Sequence, residues 1–171
     1  MKHTFFILKL IVPICYLFIL SGCSLFGGSD ESIIELSISA SEQLNPDIES
    51  RPSPIVLRIY QLTHIDTFNN SDFFALYEND QTLLAQDLKY REELEIQPKH
   101  SKIKRLEISP DSKFIAVLAA FRDLDKAQWK SFVEIDPLNL QPLKIDLGES
   151  TVIIDFINKA SVPPYSSLPK N

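Results

Sequence analysis

Residues 114–121 read Phe-Ile-Ala-Val-Leu-Ala-Ala-Phe, eight apolar residues in succession that include two β-branched side chains. A run of this length and composition is typical of a strand that is covered on both faces. Residues 55–62, Ile-Val-Leu-Arg-Ile-Tyr-Gln-Leu, form a second strand pattern that is rich in β-branched and aromatic residues. These two segments predict a folded body built around β-sheet.

Weaker strand patterns flank these two segments. Ile34, Leu36 and Ile38 alternate with polar residues, which predicts a strand with one buried face from Ile33 onward. Five further strands are predicted at residues 88–96, 102–108, 129–135, 143–147 and 151–157. About eight short strands indicate a mainly all-β fold, a two-sheet antiparallel β-sandwich.

One segment of this body has a helical period. Residues 73–77 place aromatic and aliphatic side chains at helical spacing, and Ser71 with Asp72 precedes them as an N-cap signal. Asp80 is placed to cap a second turn, so we expect one or two short helices at about residues 71–86. The sandwich domain with this insertion is predicted to span residues 33–158, and the proline-containing residues 159–171 to form a loose tail.

The N-terminal segment has the pattern of a secretory signal. Two lysines, Lys2 and Lys9, precede an apolar run at residues 10–20, which is shorter than the ~20 residues that a membrane-spanning helix needs. Removal of residues 1–22 would leave 15 basic and 23 acidic residues, a net charge of −8. A chain with this charge has no basic excess for phosphate groups, so we expect no nucleic-acid partner.

The two cysteines lie on opposite sides of the predicted signal-peptide cleavage site. Cys15 lies in the apolar run, so Cys23 is the single thiol of the exported chain and has no partner for a disulfide. The sequence Leu-Ser-Gly-Cys at residues 20–23 resembles the bacterial lipobox, in which the cysteine is acylated and becomes the new N-terminus. Two acyl chains give a stable membrane anchor. The alternative is an ordinary signal peptide with a chance cysteine near its cleavage site.

The residues after Cys23 bear on where such an anchor would lie. Residue 24 is Ser24 rather than aspartate, which by resemblance to the bacterial sorting rule indicates the outer membrane, on its periplasmic side. Residues 23–32 are polar and contain two adjacent glycines, so we expect a lipidated N-terminus followed by a flexible tether.

Catalytic and metal-binding patterns are missing from the sequence. The predicted sandwich contains a single glycine, Gly148, too few for a phosphate-binding loop or a nucleophile elbow. His64 and His100 lie at loop-like positions, and Asp66 is the only acidic residue close to His64 in sequence. Asp123 and Asp125 lack the other ligands of a calcium loop. We therefore expect no enzyme activity, no metal, no cofactor beyond the covalent lipid, and no small-molecule substrate.

An aromatic set leaves a second function open. Phe73, Phe74, Tyr77 and Trp129 are expected to lie mainly in the core, because large aromatic side chains dominate burial in a domain of this size. If they instead line a groove, the protein would be a lipid-tethered periplasmic binding module for glycan or peptide.

Four blocks of sequence, in order, resemble the outer-membrane lipoprotein family of the type VI secretion system (TssJ, VasD or SciN). The first comprises Asn-Pro at residues 45–46 and Arg-Pro-Ser-Pro at residues 51–54, which run into the strand at residues 56–62. The others are residues 72–77, residues 119–122 and Trp129. With the lipobox, the resemblance covers Cys23 to about residue 158.

The resemblance implies a transthyretin-like sandwich that anchors the secretion machine's trans-envelope complex to the outer membrane. The implied partner is the periplasmic C-terminal region of the IcmF-like inner-membrane subunit, TssM. Some transthyretin-like domains are hydrolases, but the end of this chain lacks the Tyr-Arg-Gly-Ser signature of those enzymes.

The family's contact loop, carried over to this chain, is residues 41–54, which three prolines should stiffen. An alternative is that this loop is merely solvated. The candidate contact residues are Asn45, Pro46, Asp47, Glu49, Arg51 and Pro52.

Overall fold

The computed structural model describes residues 32–157. The predicted signal peptide (residues 1–22), Cys23, Ser24, nearly all of the predicted tether and the predicted tail (residues 159–171) lie outside the described residues. The described elements are β1 (Ile33–Ala40), β2 (Ile55–Leu62), α1 (Asp66–Asn70), α2 (Phe73–Leu84), β3 (Leu88–Ile96), β4 (Ser101–Glu107), β5 (Phe114–Ala119), β6 (Lys130–Glu134), β7 (Leu143–Leu147) and β8 (Val152–Phe156).

The strands form two four-stranded sheets, with orders β4-β1-β7-β8 and β3-β2-β5-β6. The predicted two-sheet sandwich is confirmed, and five of the six strand pairs are antiparallel. The sixth pair, β1 with β7, is parallel, with Ile38 opposite Ile145. The sequence did not predict this pair. It arises because the chain crosses from β6 in one sheet to β7 in the other and enters β7 at the end where β1 begins.

The main core lies between the two sheets. Alternate residues of β1 point into it, and Leu36 and Ile38 are at most 1% exposed. The segment that predicted a doubly covered strand is β5, in the interior of its sheet. Its Val117 belongs to the core between the sheets and its Leu118 to the cluster on the opposite face. The prediction for β5 is therefore confirmed.

The two helices cover the outer face of the β3-β2-β5-β6 sheet. Asp72 is the N-cap of α2, and its side chain accepts a hydrogen bond from the Ala75 backbone nitrogen at 2.9 Å. The helix is broken at Asn79, whose φ of −133° is not helical. This agrees with the prediction of one or two short helices. Neither helix in the described part of the chain has the length and apolar character that crossing a bilayer requires. The helices and the sheet share a second apolar cluster, formed by Tyr60, Leu62, Phe68, Phe73, Leu76, Leu84, Ala116 and Leu118.

Helix α1 (Asp66–Asn70) was not predicted from the sequence. The helix has five residues and one buried side chain, Phe68, so it is too short to show a periodic pattern. A residue distant in sequence supports it. Lys130 donates to the carbonyl oxygens of Asn69 at 2.6 Å and Ser71 at 2.9 Å, where α1 ends.

The connections gather at two opposite ends of the sandwich. β1 starts at what we call the entry end, where the Ile108 backbone nitrogen donates to Ser32 at 2.7 Å. It finishes about 23 Å away, at about 3.3 Å per residue, at what we call the loop end. Hydrogen bonds join residues 41–54 to each of the other three connections at the loop end. The loop end comprises residues 41–54, 97–100, 120–129 and 148–151.

Candidate functional site

The β1–β2 loop, residues 41–54, is anchored at its base by Asn45. This residue is 3% exposed and has a left-handed backbone, with φ 47°, a conformation that asparagine tolerates better than most residues. Its side-chain nitrogen donates to the Pro54 carbonyl oxygen at 2.8 Å, and its side-chain oxygen accepts from the Arg122 backbone nitrogen at 2.8 Å. The loop is thus closed at its base and joined to the β5–β6 loop.

Ser53 completes this attachment. Its backbone nitrogen donates to the Leu44 carbonyl at 3.0 Å, and its hydroxyl donates to the Asn45 carbonyl and accepts from Arg122 Nε at 3.0 Å. Leu44 is fully buried in the core between the sheets. The Asn45 backbone nitrogen donates to Glu149 in the β7–β8 turn at 3.0 Å. The base of the loop therefore belongs to the core and touches two neighbouring connections.

The tip of the loop, residues 47–51, is organised by the carboxylate of Asp47. Its Oδ1 accepts hydrogen bonds from the backbone nitrogens of Glu49 at 2.9 Å and Arg51 at 3.0 Å. The Asp47 backbone nitrogen donates to the Arg51 carbonyl at 3.0 Å, and the Ser50 nitrogen donates to the Asp47 carbonyl at 2.9 Å. A side chain that binds its own turn is a usual role of aspartate. The tip is therefore an ordered turn.

Ion pairs close the outer side of this turn. Arg51 reaches Asp47 at 2.8 Å and Glu49 at 3.0 Å. The hydrogen bond from the Arg51 backbone nitrogen, together with the adjacent Arg51 side chain, holds the pKa of the Asp47 carboxyl below its ordinary value. The Arg51 side chain is 69% exposed, so solvent screens these pairs and they add little to global stability.

The candidate contact residues thus fall into three groups by burial. Asn45 is buried and bonded within the chain, so it positions the loop and offers no side-chain surface to a partner. Pro46 and Asp47 are half-buried, whereas Glu49, Arg51 and Pro52 are exposed.

Sequence reasoning missed the residue at the centre of the tip. Ile48 is 102% exposed. The available signal was an isoleucine in the middle of a run of aspartate, glutamate and serine, where no core position was expected.

A groove lies between this loop and its neighbours at the loop end. Its floor includes Phe121, which is 5% exposed. Charged side chains stand on the far side, where Lys126 pairs with Asp123 at 2.8 Å. The groove is lined by Asn45, Pro46, Asp47, Ile48, Phe121, Asp123, Lys126, Glu149 and Ser150.

The structure gives His64 a different acidic neighbour from the one that is close to it in sequence. His64 Nδ1 lies 2.8 Å from Asp87 Oδ1, so the acidic neighbour of His64 is Asp87 rather than Asp66. The hydrogen bond with His64 lowers the pKa of Asp87. Within residues 32–157 no three His, Cys, Asp or Glu side chains are grouped to hold a metal ion.

The aromatic set does not form an open platform. Phe73 is buried and packs edge-on against Trp129 with ring centroids 5.4 Å apart, and the Lys130 ammonium lies 4.7 Å from the Trp129 ring centroid. Tyr77 stacks on Phe73 at 5.2 Å and contacts the Arg58 guanidinium. Phe74, at 61% exposed, is the member that faces solvent, contrary to the expectation of a core position.

The most buried charged cluster joins α2 to the β3-β2-β5-β6 sheet. Asp80 Oδ2 accepts from Arg58 at 3.1 Å, Tyr60 at 2.9 Å and Arg91 at 2.7 Å. Arg58 Nε also donates to Glu93 at 2.8 Å. Burial, then the neighbouring Asp80 carboxylate, raises the pKa of Tyr60. The polar groups of this cluster satisfy one another beneath the helix, so it fixes α2 in place.

Comparison with known proteins identifies the family. The family model described as type VI secretion lipoprotein (VasD, EvfM, TssJ; T6SS-SciN) matches residues 32–150. No curated protein matches the chain. The structure of the T6SS lipoprotein TssJ1 from Pseudomonas aeruginosa is 27% identical, with a TM-score of 0.71, and the match covers 77% of this chain and 98% of that one.

Two further solved structures share the fold. Serratia marcescens Lip, described as a membrane-bound component of the type VI secretion system, is 23% identical with a TM-score of 0.67, over 75% of this chain and 98% of that one. A chain in the structure described as the T6SS protein TssM C-terminal domain (869–1107) from EAEC is 29% identical with a TM-score of 0.59, over 72% of this chain and 99% of that one. The predicted resemblance is therefore confirmed, and the chain belongs to the type VI secretion lipoprotein family of TssJ, VasD and SciN.

Proposed function

We propose that this protein is a non-catalytic anchor of the type VI secretion trans-envelope complex. In this proposal Cys23 carries the acyl chains and Ser24 directs the protein to the outer membrane, where it faces the periplasm. The folded body then binds the periplasmic C-terminal region of the TssM-type, IcmF-like subunit through the β1–β2 loop.

The direction of β1 is the observation that carries this proposal. The strand begins at the entry end, next to the segment that would be tethered, and finishes at the loop end, where the β1–β2 loop starts. A lipid on Cys23 would therefore hold the entry end toward the membrane. The loop end would then face away from the membrane, toward a partner that reaches across the periplasm.

The match to the TssM structure supports the choice of partner. Since 72% of this 171-residue chain accounts for 99% of the matched chain, the matched chain has about 124 residues. That is far shorter than the domain of residues 869–1107 named for the same structure. A chain of that length with this fold, in the structure described as the TssM C-terminal domain, supports the choice of a TssM-type partner here.

Replacement of the anchoring cysteine tests the membrane part of the proposal. Cys23→Ser should move the protein from the membrane fraction to the soluble periplasmic fraction and abolish type VI secretion. The circular dichroism spectrum should be unchanged, because residues 33–157 form their own core. Cys15→Ser, in the predicted signal, is the matched control and should leave both properties unchanged. Secretion that persists in Cys23→Ser would contradict the proposal.

A further inference from the structure

Two aliphatic side chains in the described part of the chain are almost fully exposed, Ile48 at 102% and Leu138 at 97%. They lie at opposite ends of the sandwich, Ile48 at the loop end and Leu138 at the entry end. Single exposed apolar residues are common and need no explanation. What distinguishes Ile48 is how it is held and what surrounds it.

The backbone that carries Ile48 is fixed on both sides. Asp47 accepts three hydrogen bonds from Glu49 and Arg51, two of them from backbone nitrogens. Ser50 adopts a left-handed conformation, with φ 60°, which a non-glycine residue adopts only at an energetic cost. The chain therefore maintains a strained turn at a position where the central side chain is fully exposed.

The Ile48 side chain is also stiff, which lowers the entropy cost of binding. Isoleucine is β-branched and has restricted χ1 freedom, so it loses less rotamer entropy on binding than a long flexible side chain. A rigid turn and a stiff side chain together lower the ordering cost of association. These are properties of a residue that inserts into a pocket of another protein.

The surroundings of Ile48 indicate the chemistry of that pocket. The loop-end connections carry six carboxylates against four lysine or arginine side chains. Arg51 and Lys126 are already engaged by carboxylates of their own loops. Among residues 32–157, Asp125 and Glu149 form no ion pair, and Arg122, which lies beside Ile48, donates to the Ser53 hydroxyl and not to a carboxylate. The loop end as a whole therefore keeps an excess of two carboxylates. A complementary surface has an apolar centre and a basic rim.

From this arrangement we infer that Ile48 is the anchor residue of the loop end, and that it inserts into an apolar pocket of the partner that is bordered by lysine or arginine. This inference rests on the proposed function and specifies its contact. Asp47 and Arg51 then act as positioning residues for Ile48. The sequence-based candidates did not include Ile48; they were Asn45, Pro46, Asp47, Glu49, Arg51 and Pro52.

The test measures binding of the full-length protein, purified from membranes in detergent, to the periplasmic C-terminal region of the TssM-type subunit from the same bacterium. We expect Ile48→Ala to weaken binding by about tenfold and Ile48→Asp by more, because the isoleucine side chain that becomes buried in the complex is replaced by a smaller or a charged one. Leu138→Ala and Leu138→Asp are the matched controls. Leu138 also lies in a turn that an aspartate organises, because its backbone nitrogen donates at 2.9 Å to Asp136, two residues earlier.

The rim is tested separately by charge reversal. Glu149→Lys should slow association and reduce its dependence on salt, because rim charges act mainly on the association rate. Glu134→Lys, an exposed residue of β6 near the entry end, should change neither.

The outcomes separate the two proposals. If the wild-type protein binds and Ile48→Asp binds equally well, the inference about Ile48 is wrong while the anchoring function stands. If the wild-type protein does not bind this region at all, the proposed function fails, and the inference fails with it. Loss of binding in Ile48→Asp, with Leu138→Asp unaffected and both variants unfolding at the wild-type temperature, supports both.

Discussion

The side-chain oxygen of Asn45 accepts a hydrogen bond at 2.8 Å from the backbone nitrogen of Arg122, which lies 77 residues further along the chain. This contact makes the base of the β1–β2 loop part of the folded core, although its tip projects into solvent. The stability of the protein and the position of the candidate site therefore depend on one buried asparagine.

Asn45→Ala should be strongly destabilising. The substitution leaves the Pro54 carbonyl and the Arg122 nitrogen without their partner, at a cost of about 1–3 kcal/mol, and places alanine in a left-handed conformation, at a further 1–2 kcal/mol or so. We expect the free energy of unfolding in urea to fall by about 2–5 kcal/mol. Asn139→Ala, at an exposed position, is the matched control and should change it by less than about 0.5 kcal/mol. Equal stabilities for the two variants would refute this role of Asn45.

Asp80→Asn should destabilise the protein in a pH-dependent way. Burial alone would raise the pKa of Asp80, but hydrogen bonds from Arg91 and Tyr60 and the adjacent positive charges outweigh it, so that the net pKa lies below its ordinary value. The stabilisation by this carboxylate is therefore present above the unfolded-state pKa of about 3.9 and is lost as the pH falls through the lower folded-state pKa.

At neutral pH we expect Asp80→Asn to lower the free energy of unfolding by about 3 kcal/mol, the low end of the range for breaking a buried ion pair, because Arg58 loses one of its two carboxylate partners and keeps Glu93. The difference in the free energy of unfolding between the wild type and the variant should narrow as the pH is lowered below about 4. Urea titrations at a series of pH values from 7 to 2.5 measure this difference in the free energy of unfolding. The exposed Asp125→Asn serves as the control and should follow the wild type. A gap that stays constant over this range would show that the charge of Asp80 is not the source of the effect.

The buried cluster also shows how far the sequence was informative. Arg58 stands in an otherwise nearly apolar strand, and a charge at such a position requires a partner. The need for a partner was thus readable at Arg58. Its identity was not, because Asp80 and Glu93 are 22 and 35 residues away and come into reach only through the packing of α2 and the β2–β3 register.

In the rest of the fold and in the site as well, local features were predictable from the sequence, whereas features that depend on distant contacts were not. Local patterns predicted β2 at residues 55–62 and the N-cap at Asp72, because both depend on neighbouring residues. The parallel β1–β7 pair depends on a crossover between sheets, which leaves no local signal. In the β1–β2 loop, prolines predicted stiffness, but the burial of Asn45 depends on contacts with residues 122 and 149, which are distant in sequence.

Asp47→Ala should loosen the loop tip without affecting global stability. It removes the acceptor of two backbone nitrogens, Glu49 and Arg51, so we expect their amide hydrogens to exchange about tenfold faster. The midpoint of thermal unfolding should be nearly unchanged, because the tip contributes no core residue. Hydrogen exchange measured by NMR tests this prediction.

Asp136→Ala is the matched control for Asp47→Ala, since Asp136 also binds its own turn, through the Leu138 nitrogen at the entry end. Both substitutions should speed local exchange, but only Asp47→Ala should weaken binding to the TssM-type region, by severalfold. Equal binding by the two variants would mean that order in the β1–β2 tip is irrelevant to the partner.

Ser24→Asp should change the membrane in which the protein is anchored without changing its folding or its binding. By resemblance to the bacterial sorting rule, aspartate after the acylated cysteine retains a lipoprotein at the inner membrane, whereas serine permits its transfer to the outer membrane. We expect the variant to sediment with inner-membrane vesicles in a sucrose gradient and type VI secretion to be lost. Binding of the detergent-purified variant to the TssM-type region should equal that of the wild type, because the β1–β2 loop lies at the end of the sandwich opposite the start of β1.

Ser24→Ala is the control and should stay in the outer-membrane fraction with normal secretion. If Ser24→Asp still reached the outer membrane, residue 24 would not be the sorting determinant; if it remained at the inner membrane and secretion continued, an outer-membrane anchor would not be needed.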